Sequence, residues 1–339
     1  MFCLLLIITK HKGVINMNKL TKIGLTALAG SLMATSAFAA SMSVSGGADI
    51  SMAAESNADK GNSFSSGDSL NFTGSGELDN GLVITTKVEI DGGTYDDRSV
   101  VISSDELGTL TFAQSGSTAM SAVDDVMPTA YDSSWDVLAV GHAATSGKTT
   151  GQATKDGAIG GFVTGNSFYY TMPEMVEGLG IDVSYVPSGS ARPDGTVSYA
   201  LAYTGVEGLT IGYATDDNGL SGTSKLETET MYAKYAFGSF TIGVQESEQE
   251  QSGATTSDDD MSIHGITYQV SDDLSIGYHA SSRDLGDKDF DEESKSLQIA
   301  YTQGGMTVKA QSVSMDNVGG SSSARDDIDG YKVSVSFAF

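Results

Sequence analysis

The chain has 339 residues, of which 44 are acidic and 18 are Lys or Arg, so its formal charge is −26. That charge excludes nucleic acid and other polyanions as partners and suits a protein that attracts cations. With 41 glycines and 4 prolines, and no apolar run of about 18 residues beyond the N-terminal segment, the composition excludes helical membrane spans and points to sheet.

The first feature in chain order is an export signal. Met17-Asn18-Lys19-Leu20-Thr21-Lys22 is a basic start, Ile23 to Ala34 is apolar, and Ala37-Phe38-Ala39 is a small-x-small cleavage site. This is a secretory signal peptide, with Met17 as the expected start and cleavage expected after Ala39. Residues 1–39 are thus an upstream extension plus leader, and 40–339 the mature chain. Losing Lys10, Lys12, Lys19 and Lys22 takes the formal charge from −26 to −30, and Cys3, the sole cysteine, goes with them. An exported chain without cysteine has no disulfides, so something else must hold it together.

From Ser41 onward, period-two alternation recurs to the last residue. The first strand carries Met42, Val44, Ala48, Ile50 and Met52 on one face, and the second Leu70, Phe72 and Leu78. After the turn Asp79-Asn80-Gly81 the third alternates Leu82, Ile84, Val88 and Ile90 with Thr85, Lys87, Glu89 and Asp91. The fourth has Val100 and Ile102, the fifth Leu110 and Phe112. After a long interruption, the sixth to eleventh strands centre on Tyr170, Val183, Tyr199, Ile211, Tyr235 and Ile242. The twelfth has Ile266, Tyr268 and Val270, with Ile263 out of phase, as at a bulge. The thirteenth to fifteenth centre on Ile276, Ile299 and Val308, and "YKVSVSFAF" is the sixteenth.

The connections are read as alternating strictly, seven tight turns against eight longer polar loops such as "QESEQEQSGATTSDDD" and "SSRDLGDKDFDEES". An even strand number with all short turns on one side predicts an all-β, up-and-down, 16-stranded antiparallel barrel with both termini at the turn end. Three features make it a transmembrane barrel. The face opposite the apolar one is polar throughout, and each Lys in a predicted strand (Lys87, Lys234, Lys309, Lys332) falls on it. Aromatic residues gather toward strand ends, as in interfacial girdles. The chain is exported and ends on an aromatic strand. Barrel closure also pairs every backbone group, which replaces the missing disulfides.

The segments "RSVVISSDELGTLTFAQS", "GNSFYYTMPEMVEGLGIDVSYV", "AKYAFGSFTIGV" and "YKVSVSFAF" resemble the Rhodobacter-type general porins of alphaproteobacteria, in order along nearly the whole mature chain. The resemblance implies a homotrimer in the outer membrane of a Gram-negative bacterium, in contact with outer-membrane lipid and lipopolysaccharide. It implies that the loop after the fifth strand folds inward to narrow the pore. It also implies that the final Phe339 is an assembly signal read by the barrel-assembly machinery.

The candidate constriction loop is the interruption at about 116–165, which contains Asp124, Asp125, Asp132, Asp136 and the sole Trp, Trp135. A connection of this length points to function. Folded inward, its carboxylates would narrow the bore and concentrate cations; the competing reading is a surface loop with solvated charges. Lys87, Lys234, Lys309 and Lys332, with Arg98 just before a strand, are candidates for a basic wall opposite the loop, or else are scattered around the lumen. Lys87 with Glu89 is the pair placed nearest the constriction. The D-x-D-x-D spacing of Asp287, Asp289 and Asp291 offers oxygen ligands for weak calcium binding, without the turn glycine of an EF-hand; the bland reading is a solvated loop. No cofactor is otherwise expected.

The mature chain's His142, His264 and His279 lie in no nucleophile or metal motif, and "GAIGG" lacks the strand–loop–helix context of a phosphate site, so no enzyme is expected. An outer-membrane phospholipase is the enzymatic alternative. The expected function is a general diffusion porin for small hydrophilic solutes and ions, preferring cations. The alternative is a non-conducting adhesin or structural barrel plugged by its loops.

Overall fold

Sixteen antiparallel strands form one closed sheet, each bonded to its sequence neighbours and the first to the last, in a computed structural model of the chain. It describes residues 41–339 apart from 57–61, 115–117, 136–165, 190–192, 218, 223–224, 253–257, 287, 319 and 321–326; the expected leader lies outside the described residues. The strands are β1 Ser41–Glu55, β2 Asn62–Glu77, β3 Val83–Asp91, β4 Thr94–Ser104, β5 Gly108–Ala113, β6 Ser167–Thr171, β7 Leu179–Val186 and β8 Thr196–Val206. They continue as β9 Leu209–Asp217, β10 Leu226–Phe237, β11 Phe240–Gln251, β12 Asp259–Ser271, β13 Leu274–Leu285, β14 Glu292–Gln303, β15 Met306–Asp316 and β16 Ile328–Ala338.

The period-two pattern dictates which side each residue takes. Val44, Phe72, Ile211, Phe237, Ile242 and Tyr301 are exposed on the outside. Inside, the cross-strand partners are polar and bonded to one another: Ser51 with Ser65 at 2.7 Å, Thr230 with Ser247 at 2.8 Å and Gln249 with Thr228 at 3.2 Å. Aromatic residues of neighbouring strands form an outer ribbon at the turn end, with ring centroids of Tyr235, Phe237, Phe240 and Tyr268 successively 5.6, 5.6 and 4.6 Å apart.

Two expectations about the connections need correction. The link from β3 to β4 is not a longer loop but the two residues Gly92 and Gly93, at φ 53° and 79°, a left-handed pair that only glycine adopts without cost. The two acid-rich loops are also mostly wall. β11 continues to Gln251 and β12 starts at Asp259, while β13 continues to Leu285 and β14 starts at Glu292.

Ile263 is not at a bulge. It pairs in regular register with Gln245 and points inward, 2% exposed; the register shift of β12 lies later, between Gln269 and Ser271. Its phase reflects a wider change. Toward the loop end, inward residues become apolar and outward ones acidic: Leu226 beside Glu227, Met261 beside Asp260, Leu285 beside Asp284, Met315 beside Asp316 and Ile328 beside Asp329. The period stays two while the hydrophobic phase inverts.

The seam between β1 and β16 closes to the last residue. Gly46 donates its N–H to the carbonyl of Phe339 and accepts from the Phe339 N–H, both at 2.9 Å. A Cβ on Gly46 would lie 2.8 Å from the Ser69 carbonyl oxygen and 3.0 Å from the Phe339 ring, so the glycine permits this approach. Deleting Phe339 leaves both Gly46 groups open at the seam, at about 1–3 kcal/mol each. Assembly of heat-modifiable barrel in the outer membrane should fall, while any channels that insert keep their conductance. Phe339→Ala, which keeps the backbone bonds, should assemble better than the deletion; equal assembly of the deleted and intact chains would refute this.

Candidate pore constriction

The segment after β5 turns into the barrel. Its 3-10 turn, Ala119–Val123, buries Ala119, Met120 and Val123 in a cluster with the inward-facing Ala200, Ala214 and Tyr232 of β8, β9 and β10. The Ala119 N–H donates to Ser184 Oγ of β7 at 2.9 Å. Past Asp125, held at φ 48°, the chain continues across β11 to β13 over inward-facing glycines. A Cβ on Gly243 would lie 2.7 Å from Pro128 Cδ, one on Gly265 2.6 Å from the Pro128 carbonyl oxygen, and one on Gly277 3.0 Å from the Ala130 nitrogen. Three adjacent strands have given up their side chains where the loop backbone lies on them.

Beyond the glycines, side chains hold the loop. Gln298 Oε1 accepts from the N–H groups of Ala130 and Tyr131 at 2.7 and 2.8 Å, and its Nε2 donates to the Asp132 carbonyl at 2.6 Å. Gln311 Nε2 donates to the Ser133 carbonyl at 3.3 Å. The Ser134 N–H donates to His279 Nδ1 at 3.2 Å, and the Ser134 and Ser294 hydroxyls are 2.5 Å apart. Trp135 packs edge-on to His279 with centroids 5.1 Å apart, in the cluster of Ile263, Val313 and Met315. The loop therefore follows the inner wall from β7 round to β15 and takes its cross-section from the lumen.

The expected site residues divide into two groups. On the loop, Asp125 is exposed and Asp124 and Asp132 are half-buried; Asp136 lies outside the described residues. Asp49, Glu89, Asp97 and Lys87 face the lumen from β1, β3 and β4, the arc the described loop leaves open. Lys87 Nζ lies 3.0 Å from Glu89 and 3.4 Å from Asp97. Lys234 and Lys309 are on β10 and β15, along the arc the loop itself follows, and Lys332 is on the next strand, β16. Lys309 and Lys332 each place Nζ 5.6 Å from the centroid of the Tyr131 ring. Burial pushes the Tyr131 phenol above its ordinary value, which keeps the ring neutral.

The basic wall opposite an acidic loop is therefore corrected. Among the described residues, the open arc of β1 to β4 presents one lumen-facing cation, Lys87, and two carboxylates hold it. Arg98 is inside β4, opposite Val88, and points outward; its guanidinium lies 5.2 Å from the Tyr95 ring centre. Of the proposed calcium ligands, Asp287 lies outside the described residues. Asp291 gives its backbone carbonyl to Asn317 Nδ2 at 3.1 Å, and among the described residues no three His, Cys, Asp or Glu side chains gather as a metal site.

Sequence reasoning missed the glycine track, Gln298 and Gln311. A signal existed: "TIGV" at Thr241–Val244 and "SIGY" at Ser275–Tyr278 each set a glycine in the polar phase just after an outward Ile. Gly265→Val should push the loop off the wall, change single-channel conductance and destabilise the barrel by about 1–3 kcal/mol, as over-packing does. Gly189→Val is the control, because a Cβ there meets nothing within 4 Å. Unchanged conductance in Gly265→Val would show that the loop is not seated on this track.

The chain matches the family profile of Gram-negative porins over residues 24–319. No curated protein sequence matches it significantly. Solved structures of similar fold include an anion-selective porin from Comamonas acidovorans, at TM-score 0.67 and 15% identity, covering 88% of this chain and 100% of that one. Outer-membrane OmpT of Vibrio cholerae aligns at TM-score 0.65 and 12% identity, covering 90% and 99%. A mutant of the Rh. blastica porin aligns at 0.63 and 14%, covering 88% and 100%, in keeping with the Rhodobacter-type resemblance. The family match spans most of the sequence, and the chain belongs to the Gram-negative porins, the pore-forming barrels of the outer membrane.

Proposed function

We propose that this porin is a general diffusion pore that admits small hydrophilic solutes and prefers cations. The observation that carries the reading is the pairing of carboxylates across the passage. Asp124, Asp125 and Asp132 lie on the loop, while Asp49, Glu89 and Asp97 lie on the arc it leaves open, where Lys87 is already engaged. In a narrow aqueous passage with low-dielectric walls these charges act on every ion that crosses. The Comamonas acidovorans porin is anion-selective, but at 15% identity the likeness is one of fold, and selectivity resides in side chains.

We further propose a homotrimer that meets through the low outer wall. β5 and β6 have 6 and 5 residues, against 12 or 13 in β10 to β14. Beside them a hollow of about 490 Å³ is lined by the outward Val88, Val100, Phe112 and Phe168. On the high wall, Glu229, Glu248, Asp260 and Asp284 are direct cross-strand neighbours on the outside. Like charges so placed repel, so divalent cations bridging them to lipopolysaccharide phosphates would relieve the row. The barrel-assembly machinery is the expected partner during insertion.

In planar bilayers under a KCl gradient, the reversal potential should carry the sign of cation preference. Neutralising Asp125→Asn together with Glu89→Gln should move it toward zero, and an anion-preferring sign in the unaltered protein would defeat the proposal. For the assembly, Phe112→Lys should release monomers in mild detergent as read by light scattering. Retention of the full oligomer mass would place the contact elsewhere.

A further inference from the structure

Lys309 and Lys332 are an unusual pair. Lys309 is directly opposite Ser334, and Lys332 is two residues before Ser334 on the same strand, so the two lysines are diagonal neighbours on the inner face of β15 and β16. Diagonal neighbours are within reach of long side chains. Both ammonium groups lie 5.6 Å from the centroid of one ring, that of Tyr131. Gln298 fixes the backbone from which that ring projects, accepting from the Tyr131 N–H at 2.8 Å. Neither lysine has a carboxylate within ion-pair distance among the described residues, whereas Lys87, Lys225, Lys295 and Arg283 all do.

The two ammonium groups share one uncharged ring, which offsets only part of their charge. We propose that Lys309, Lys332 and Tyr131 form a docking station for oxyanion groups, the carboxylate or phosphate of a small solute, inside a lumen that otherwise draws cations. Two ammonium groups supply several charged donors to one oxyanion, which bind it more strongly than either alone. Asp49 on the adjacent β1, opposite Ser336, adds a carboxylate farther down the same face. A zwitterion could then set its carboxylate on the lysines and its ammonium toward Asp49. The pore would slow oxyanion solutes at this point while passing chloride with little delay.

The station rests on the reading of the protein as an open pore, and its test is separable from the test of cation preference. Single channels in KCl are titrated with succinate in one arm and inorganic phosphate in the other, at constant ionic strength. Either anion should produce saturable, flickering blockade at millimolar concentrations. Lys309→Gln with Lys332→Gln should weaken that blockade at least tenfold, and the arginine pair Lys309→Arg with Lys332→Arg should retain it. Blockade by succinate alone or by phosphate alone identifies the solute class and supports the station. If the double glutamine variant fails to assemble, the single variants Lys309→Gln and Lys332→Gln should each weaken the blockade, and unchanged blockade in both overturns the proposal. No saturable blockade by either anion, or equal blockade in the glutamine variant, overturns the proposal whatever the reversal potential in KCl.

Discussion

Everything in this molecule depends on pairing backbone groups where no water can reach them. An open sheet edge in hydrocarbon leaves N–H and C=O groups unsatisfied at several kcal/mol each. The sheet answers by closing, and the closure includes the reciprocal bonds of Gly46 and Phe339 at the seam. No disulfide is needed in such a wall, because each strand is bonded along both edges. Closure also consumes the backbone completely, so function has to come from side chains and from the one long connection that turns inward.

Closure fixes the period of the sequence but not its phase. Along the lipid-facing belt the solvent outside is apolar, so Ile242 and Ile299 point out and Thr241 and Gln298 point in. Toward the loop end the outside is water. There the interior holds the packed loop, and the same strands turn Met261, Ile263 and Met315 inward and Asp260 and Glu248 outward. One continuous strand thus obeys two rules, a membrane rule below and a soluble-protein rule above. The acid-rich stretches are wall that stands in water.

That division explains what could be read from sequence and what could not. Sixteen strands, the meander and the position of the long loop follow from period two and from turn residues, which are local properties. Strand length does not, because Glu246, Glu248 and Glu250 are poor strand formers held in place by their neighbours. Ile263 looked irregular only because its phase was judged by the lipid rule. Arg98 shares the parity of Val100 and Ile102, and once β4 reaches back to Thr94 that parity places it outside. The side of the lumen on which each Lys stands depends on how far the loop travels round the wall, which no single strand encodes.

The way the loop is held has a consequence for the charges near it. The anchors described are amide, hydroxyl, imidazole and apolar contacts, together with three glycines that let backbone lie on backbone. An ion pair in a water-filled lumen is worth about 0–1 kcal/mol, so it would be a poor anchor there. Hydrogen bonds sealed beneath the loop keep more of their strength, because leaving a buried partner unmade costs about 1–3 kcal/mol. A loop fixed by neutral groups can therefore be rigid without its anchors drawing on the charges of the passage. Lys309 and Lys332 illustrate the outcome: they border the loop through the uncharged ring of Tyr131, and their charge stays directed at whatever crosses the lumen.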